Sequence, residues 1–265
     1  MSIITLTTDF GLADGYVGTM KGVILGIDST ATIVDISHDI TPQDVREGAY
    51  TLYAAYPYFP QDTIHVVVVD PGVGSERRAI ALRTPQATFV APDNGVLSYV
   101  VAGERVEEIV HLTNPRYHLS PVSRTFHGRD IFAPAAAHLA RGIPLAELGE
   151  PLTEIITFPL PRPQLRPDGT IVGQVIHVDR FGNLITSITA TDLADHPLLR
   201  EGVIKIKGQS IRGIANNYAE GTPGKLLALI GSSSHLEIAA SGGSASQTLA
   251  AKVGDEVLLK VKSLH

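Results

Sequence analysis

The chain has 265 residues, which suits one large domain or two modest ones, and 44% of them are hydrophobic, enough for a full core. Its net charge of −6 argues against sequence-independent binding to nucleic acid, which depends on clustered Lys and Arg. There are no cysteines, so disulfides, thiolate metal sites and a cysteine nucleophile are excluded.

The beginning of the chain has neither the basic segment nor the apolar run of a signal peptide. No stretch approaches the roughly 20 apolar residues that a membrane span needs. We therefore expect a protein that has no membrane partner and lies in the cytoplasm, although the lack of cysteine leaves the redox compartment undetermined.

Through the first 155 residues, short apolar segments alternate with segments of helical pattern. Strands are expected at about 3–6, 32–36, 64–70, 79–82, 87–90 and 106–111, and helices at about 14–27, 42–56, 96–101 and after 130. Thr41 is the expected N-cap of the second helix, with Pro42 at its first position. This alternation predicts an α/β domain with a mainly parallel sheet and flanking helices.

The most informative stretch surrounds Asp70. Residues 66–69 are four valines, which predict a strand buried on both faces, and a Pro and two Gly residues behind Asp70 allow a tight loop. Since open α/β sheets bind ligands outside the carboxyl ends of their strands, Asp70 is a candidate site carboxylate, with Arg77 and Arg78 close behind it. The structural alternative is an Asp that caps the turn and pairs with an Arg.

Two further candidates occupy comparable positions. Asp9 follows the first strand, and His127 precedes an Ala-rich helix that reaches Arg141, beside a Gly that permits close approach. A lone His is more commonly a satisfied structural group. No GxGxxG or Walker loop is present, so the usual dinucleotide and P-loop sites are not expected.

The segment 151–167 contains five prolines and predicts a stiff linker at a domain boundary. We place the first domain at 1–155, the linker at 156–168 and the second domain at 169–265. Strands expected at 171–178, 183–188, 203–207, 226–230, 235–239 and 256–262 predict a smaller antiparallel β-barrel. Its polar turns could present backbone groups to a planar ligand, but they are equally ordinary hairpin turns.

Four segments, taken together, resemble one protein family. They are Thr8-Asp9-Phe10-Gly11, Asp70-Pro-Gly-Val-Gly with Arg77, Thr125-Phe126-His127-Gly128 and Asp179-Arg-Phe181-Gly-Asn183. Their order and spacing, with the two-domain layout, resemble the S-adenosyl-L-methionine hydroxide adenosyltransferases, which are relatives of fluorinases and chlorinases. The resemblance covers nearly the whole chain.

The resemblance implies an enzyme that hydrolyses S-adenosyl-L-methionine. Water or hydroxide attacks C5′ of the ribose and gives adenosine and L-methionine, with no metal and no other cofactor. The resemblance further implies a homotrimer in which the first domain of one subunit and the second domain of its neighbour form the site.

The family's catalytic triad falls on Asp70, Arg77 and His127, and its ribose-binding carboxylate falls on Asp9. Thr125 and Phe126 belong to the motif around His127 and are expected to contact the substrate.

In the second domain, Asp179 matches a residue near the methionine amino group, and Phe181 and Asn183 match residues that line the adenosine site. The turn near Ser232 matches a loop that holds adenine and methionine largely through backbone groups. Glu237 lies beside that turn, and its match is looser.

The choice of nucleophile depends on Asp70, where the halogenating branch of the family has a tyrosine. A carboxylate would repel a halide ion but can orient and deprotonate water. Gln43 stands where that branch has a tryptophan that walls the halide pocket, and it also suits water. The chain lacks the insertion of that branch, while Gly128 does not discriminate.

Three other functions remain open at this stage. A nucleoside-binding or S-adenosyl-L-methionine-binding protein could keep the pocket without turnover. Halide-dependent cleavage is disfavoured by Asp70. A metallohydrolase could use Asp9, Asp70 and His127, and a chelator would distinguish it.

Overall fold

The computed structural model describes residues 2–194 and 202–260. They form two compact units, of which the first ends at Pro159 and the second begins at Leu160. Positions 261–262 of the last predicted strand and the end of the expected second domain lie outside the described residues. Within the described ranges, no helix combines the length and the apolar character needed to cross a membrane.

The first unit alternates strands with helices. Its strands are β1 Ile3–Thr8, β2 Thr32–Ser37, β3 Thr63–Val68, β4 Ala79–Arg83, β5 Ala87–Pro92, β6 Glu108–His111 and β7 Glu150–Pro151. Its α-helices are α1 Tyr16–Ile27, α2 Val45–Ala55, α3 Ser98–Gly103 and α4 Ala133–Ala140, and a π-helical turn at Gly128–Phe132 leads into α4.

These strands form one sheet in the order β2-β1-β3-β5-β4-β6-β7. The first four run parallel to one another, whereas β4, β6 and β7 join by antiparallel pairing. A three-residue connection between β4 and β5 explains the change of direction, because a parallel crossover needs a much longer connection. The predicted α/β class is confirmed, with a mixed sheet that is parallel in its site-bearing half.

Strand β3 lies at the centre of two apolar layers and is buried at every position. Val66 and Val68 pack with α1 and α4 on one face, and Val67 packs with α2 and α3 on the other. The prediction that the valine run is buried on both faces is therefore confirmed. This packing fixes the position at which the chain leaves the sheet toward Asp70.

Helix α2 begins later than expected, and its N-cap is not Thr41. The cap is Asp44, whose carboxylate accepts a hydrogen bond from the Glu47 amide over 2.9 Å. Gln43 has a φ of 68°, which interrupts the helix before it can extend back to Pro42. The interruption leaves the Gln43 amide free to bind elsewhere, and it points to Asp9.

The second unit is an antiparallel sheet with short helices. Its strands are β8 Gln164–Leu165, β9 Thr170–Val178, β10 Leu184–Thr189, β11 Val203–Ile206, β12 Gln209–Arg212, β13 Leu226–Ile230, β14 His235–Ala240 and β15 Glu256–Lys260. Its helices are α5 Ala190–Ala194 and α6 Ala245–Leu249.

The strands of this unit follow the order β12-β11-β15-β9-β10-β14-β13, with β8 added beside β9. The end strands β12 and β13 approach each other, so the sheet is nearly closed around one apolar core. The predicted antiparallel barrel is thereby confirmed. Sequence reasoning missed β12, which a tight turn at Lys207 and Gly208 joins to β11.

Part of the proline-rich segment packs against the first unit. The amide of Ile156 donates to Asp93 over 2.7 Å, and the amide of Phe158 donates to Ser98 over 3.0 Å. The guanidinium of Arg46 lies 4.5 Å from the centre of the Phe158 ring. Residues 156–158 are therefore held in place by specific contacts.

A buried histidine on β3 makes the first unit sensitive to acid. His65 is fully buried, shares a hydrogen bond of 2.7 Å with Thr5 through Nδ1, and stacks on Phe89. Its Nε2 has no hydrogen-bond partner within the described part of the chain. Burial lowers the pKa of His65 to about 4, because a charged ring would lose its hydration in the core.

We predict that His65→Leu reduces the loss of stability on acidification. Between pH 6.5 and 4 the unfolded chain binds a proton at His65 that the folded chain does not, so the free energy of unfolding falls as the pH falls. The difference amounts to at most about 3 kcal/mol. Urea unfolding at pH 7.5 and 5.0 measures it. Thr5→Val is the control, since it removes the hydrogen bond and keeps the titrating ring. Equal pH slopes in wild type and His65→Leu would contradict the assignment.

Candidate active site

Asp70 and Arg77 form a nearly inaccessible ion pair at the end of β3. Nε of Arg77 lies 2.9 Å from Oδ1 and 3.0 Å from Oδ2 of Asp70, and Nη2 also contacts Oδ2. Only 8% of the Arg77 side chain and 5% of the Asp70 side chain are exposed. A two-pronged guanidinium contact of this kind fixes both the position and the plane of the carboxylate.

The loop between these residues folds back tightly. The amide of Val73 donates to the Asp70 carbonyl over 3.2 Å, and the amide of Ser75 donates to the Gly72 carbonyl over 3.1 Å. Gly74 adopts a φ of 77°, and a Cβ there would overlap the carbonyl oxygen of Arg124. The loop therefore packs directly on the backbone before His127, which brings the second candidate segment to Arg77.

His127 completes a line of three side chains. Its Nδ1 lies 3.0 Å from Nη2 of Arg77. Because a guanidinium can only donate, Nδ1 must accept, and the proton of the neutral ring is on Nε2. Burial lowers the pKa of His127, and the positive charge of Arg77 lowers it further against the opposing effect of Asp70. The structure thus favours a neutral histidine with one defined tautomer.

The two adjacent arginines have separate partners. Arg78 donates from Nε to the buried carboxylate of Asp93 over 2.7 Å, and Asp93 also accepts the Ile156 amide. The side chain of Asn94 donates to the Val69 carbonyl over 2.8 Å, immediately before Asp70. Sequence reasoning assigned no role to Asp93 or Asn94, which fix the strand ends on either side of the ion pair.

A pocket of about 370 Å³ opens beside the ion pair. The predicted site residues that line it are Asp9, Asp70, Thr125, Phe126 and His127. Arg77 is not among the lining residues and contacts Asp70 and His127 instead. The pocket therefore brings together the candidates from three separate loops, at the carboxyl ends of β1 and β3 and at the start of the π-helical turn.

Two aromatic residues that the sequence reasoning did not select, Phe10 and Tyr16, also line this pocket. The rings of Phe10, Tyr16 and Phe126 meet edge to face, with centroids 5.2 to 5.9 Å apart. A Cβ at Gly128 would approach Met20 at 3.1 Å and Phe126 at 3.2 Å, so a larger residue there would disturb this packing. The available signal was the presence of two aromatic residues soon after Asp9, with Phe10 directly behind it and Tyr16 at the first position of α1.

Asp9 reaches the pocket from the end of β1. Its Oδ2 accepts a hydrogen bond of 2.7 Å from the Gln43 amide, in the left-handed position just before α2. Gln43 itself lines the pocket. The backbone of one loop thus orients the carboxylate of another, a contact that depends on the position of α2 against the sheet.

In the second unit, Asp179 organises a turn. Its Oδ1 accepts the amides of Phe181 and Asn183 over 2.9 and 2.8 Å, and its Oδ2 accepts from the Asn183 side chain over 2.9 Å. The bonds leave the Phe181 ring 77% exposed, while Asn183 is buried. The turn therefore presents the Phe181 ring to solvent.

Ser232 and Glu237 lie at the hairpin between β13 and β14. Ser232 is exposed in a turn closed by the Ser234 amide and the Gly231 carbonyl over 3.0 Å. Glu237 is buried and accepts a hydrogen bond from the Tyr218 hydroxyl. Burial raises the pKa of Glu237, and the charge of Asp179 adds to the effect. Tyr218 is a neighbour of this group that the sequence reasoning missed.

Within the described ranges, no group of three or more His, Asp or Glu side chains is placed to hold an ion.

The fold and the pocket together define a two-unit α/β protein with a fixed carboxylate at a sheet edge, and comparisons with known proteins identify the family. Residues 4–149 match the SAM hydroxide adenosyltransferase N-terminal domain, and residues 173–258 match the corresponding C-terminal domain. The chain belongs to the SAM hydroxide adenosyltransferase family.

Relatives and a solved structure agree with this assignment. The chain is 40% identical to an (R)-S-adenosyl-L-methionine hydrolase of Salinispora tropica over 96% of both proteins. It is 33% identical to a fluorinase of an Actinoplanes species, over 72% of this chain and 73% of that protein. A crystal structure of an uncharacterized conserved protein from Thermotoga maritima matches with a TM-score of 0.91 and 38% identity, over 97% of this chain and 99% of that one.

We predict that Arg77→Gln raises the pKa of His127, because it removes the guanidinium charge and leaves the Asp70 carboxylate beside the ring. The imidazole resonances of His127, followed by NMR across the pH range, measure the change. Arg77→Lys keeps the positive charge and is expected to retain a lowered pKa. Arg78→Gln is the neighbouring control, and it should leave His127 unchanged. An unchanged or lower pKa of His127 in Arg77→Gln would contradict the assigned tautomer and its cause.

Proposed function

We propose that this protein hydrolyses S-adenosyl-L-methionine at C5′ of the ribose, giving adenosine and L-methionine. Relatives that carry the name (R)-S-adenosyl-L-methionine hydrolase support this activity. The observation that carries the proposal is the Asp70 carboxylate on the pocket wall, fixed through both its oxygens by Arg77.

The charge of Asp70 favours water over a halide as the nucleophile. A carboxylate at the wall of a confined pocket repels an anion, whereas it accepts a hydrogen bond from water. The same negative charge attracts the sulfonium of the substrate. A neutral nucleophile and a cationic substrate therefore both suit this pocket.

The reaction is a displacement at carbon. The water oxygen forms a bond to C5′, the C5′–S bond breaks, and sulfur keeps the electron pair and leaves as the neutral thioether of methionine. The proton of the water passes to Asp70 as the C–O bond forms, which is general-base assistance worth ~10²–10⁴ in rate. Each carboxylate oxygen has two acceptor sites, so the contacts to Arg77 leave room for the water.

His127 then acts on the water as a donor. With Nδ1 engaged by Arg77, its Nε2 carries the ring proton and has no lone pair to accept another. A second proton could go only to Nδ1, where it would break the contact with Arg77 and make the ring cationic beside a guanidinium. The Nε2–H can instead hold the oxygen of the water so that a lone pair faces C5′. The base is therefore Asp70, and His127 and Arg77 place the reactants.

The other predicted residues bind the substrate in this proposal. Asp9 accepts hydrogen bonds from the ribose hydroxyls, while Thr125 and Phe126 contact the substrate beside His127. Asp179 receives the methionine amino group. The residues assigned to adenine and its surroundings are Phe181, Asn183, Ser232 and Glu237.

The first experiment compares wild type with Asp70→Asn in ¹⁸O-water with EDTA and without halide. The wild type should form adenosine with ¹⁸O at the 5′ oxygen, and the amide variant should lose ~10²–10⁴ in kcat because it cannot take the proton. Glu76→Gln changes an exposed carboxylate of the same loop and serves as the matched control. Product mass spectrometry gives the position of the label.

Each alternative outcome of this experiment would indicate a different function. Binding of adenosine without turnover would indicate a nucleoside-binding protein instead of an enzyme. Activity that EDTA abolishes would identify a metallohydrolase, and activity that needs added halide would identify halide-dependent cleavage. Full activity of the Asp70→Asn variant would show that Asp70 is not the general base.

We further propose that the active protein is a homotrimer with sites formed by the first unit of one subunit and the second unit of its neighbour. The family resemblance supports this arrangement, and the exposed Phe181 ring is a surface suited to such a contact.

Complementation tests the shared site. Asp70→Asn chains and Asn183→Ala chains, each inactive alone, should regain activity when they assemble together, because a mixed trimer contains one site with two intact halves. Random mixing in a ring of three gives about a quarter of the wild-type sites. Sedimentation establishes the mass of the assembly. Mixed assemblies that stay inactive would place each site within one chain.

A further inference from the structure

His38 lies beneath the loop that carries Asp9, and no step of the proposed reaction uses it. It follows β2, is only 5% exposed, and sits beside the end of β1 because the two strands are parallel neighbours. Its Nδ1 and the hydroxyl of Thr8 are 2.8 Å apart. A buried imidazole in contact with the residue before Asp9 can influence the position of the Asp9 loop.

The contacts of His38 form a continuous chain from the surface to the loop. Nε2 of His38 lies 3.1 Å from Oδ1 of Asp35, and Oδ2 of Asp35 accepts from Nζ of Lys21 over 2.6 Å. The approach of Nε2 to Asp35 does not meet hydrogen-bond geometry, and Nε2 has no hydrogen-bond partner within the described part of the chain. A carboxylate this close still favours the ring proton on Nε2, with Nδ1 accepting from Thr8. The hydroxyl of Thr8 therefore holds the ring, and Asp35 acts on it through its charge.

This series of contacts reaches residues on both sides of Asp9. The Thr8 hydroxyl oxygen accepts the amide of Phe10 over 3.2 Å, and the carbonyl of His38 accepts the amide of Gly11 over 2.8 Å. Gly11 adopts a φ of 63°, so the loop turns sharply at this point. Residues 8–11 are thus held by the side chain and by the backbone of one histidine, while the Asp9 carboxylate is held separately by the Gln43 amide.

We propose that His38 is a positioning residue that fixes the Asp9 loop so that the Asp9 carboxylate meets both ribose hydroxyls. The inference rests on the proposed function, because Asp9 is the assigned ribose ligand there. The two hydroxyls must reach two carboxylate oxygens together, and this requires the plane of the carboxylate to be set before binding.

A natural control for this idea lies on β3, the other neighbour of β1. His65 also pairs through Nδ1 with a threonine of β1, namely Thr5, but it lies in the core and has no contact with the Asp9 loop. Replacing either histidine removes a buried imidazole and its hydrogen bond to a threonine of β1. Only the loss of His38 should affect recognition of the ribose.

The test measures binding of adenosine and of 2′,3′-dideoxyadenosine to the intact protein by calorimetry. Wild type should prefer adenosine, and His38→Leu should reduce the ratio of the two dissociation constants about tenfold or more, since each hydrogen bond to a charged acceptor is worth roughly that factor. His65→Leu should keep the wild-type ratio even where it lowers stability. His38→Asn, whose amide can still contact Thr8, should recover part of the ratio.

Asp35→Asn supplies a second route if His38→Leu does not fold, and it should reduce the ratio less than removal of the ring does. A wild-type ratio in His38→Leu, or in both His38→Asn and Asp35→Asn, would overturn the proposal. So would a wild type that does not distinguish the two nucleosides. The assay needs no turnover, so a protein that discriminates but does not hydrolyse would refute the proposed function alone.

Discussion

The arrangement of the site depends on one buried cation, the guanidinium of Arg77. It contacts both oxygens of Asp70 and the Nδ1 atom of His127, and it is itself nearly inaccessible. Burying a charge is costly unless every partner is in place, so the loops on either side must close completely around it. Because a guanidinium only donates, the same contact sets the tautomer of the histidine and makes the carboxylate an acceptor. One interaction therefore defines the chemistry of two neighbours.

The sheet explains why two acidic residues meet in one pocket. Strands β1 and β3 are parallel neighbours with Thr8 opposite Val68, so the residues that follow them emerge at the same edge. Asp9 and Asp70 therefore face the same pocket, although they are far apart in the sequence. The helices that cover both faces of β3 hold this edge rigid, and the start of α2 delivers the Gln43 amide to Asp9.

Several features of the site followed from local sequence. The valine run and the glycines behind Asp70 predicted a buried strand and a tight loop, and both are present. The spacing did not decide between Arg77 and Arg78, because residues next to each other in a turn can point to different partners. Only the fold pairs Arg77 with Asp70 and Arg78 with Asp93. Tyr218 and His38 gave no comparable signal, since their roles arise from neighbours distant in the chain.

The sequence alone determined the α/β class and the antiparallel second unit and proposed the candidate site residues, because apolar periodicity and turn residues are local properties. The family resemblance came from four short motifs of the same kind. Tertiary structure decided the N-cap of α2, the tautomer of His127 and the network that links Lys21 to the Asp9 loop. Those features depend on distances between atoms of separate elements, and packing of the sheet against its helices sets these distances.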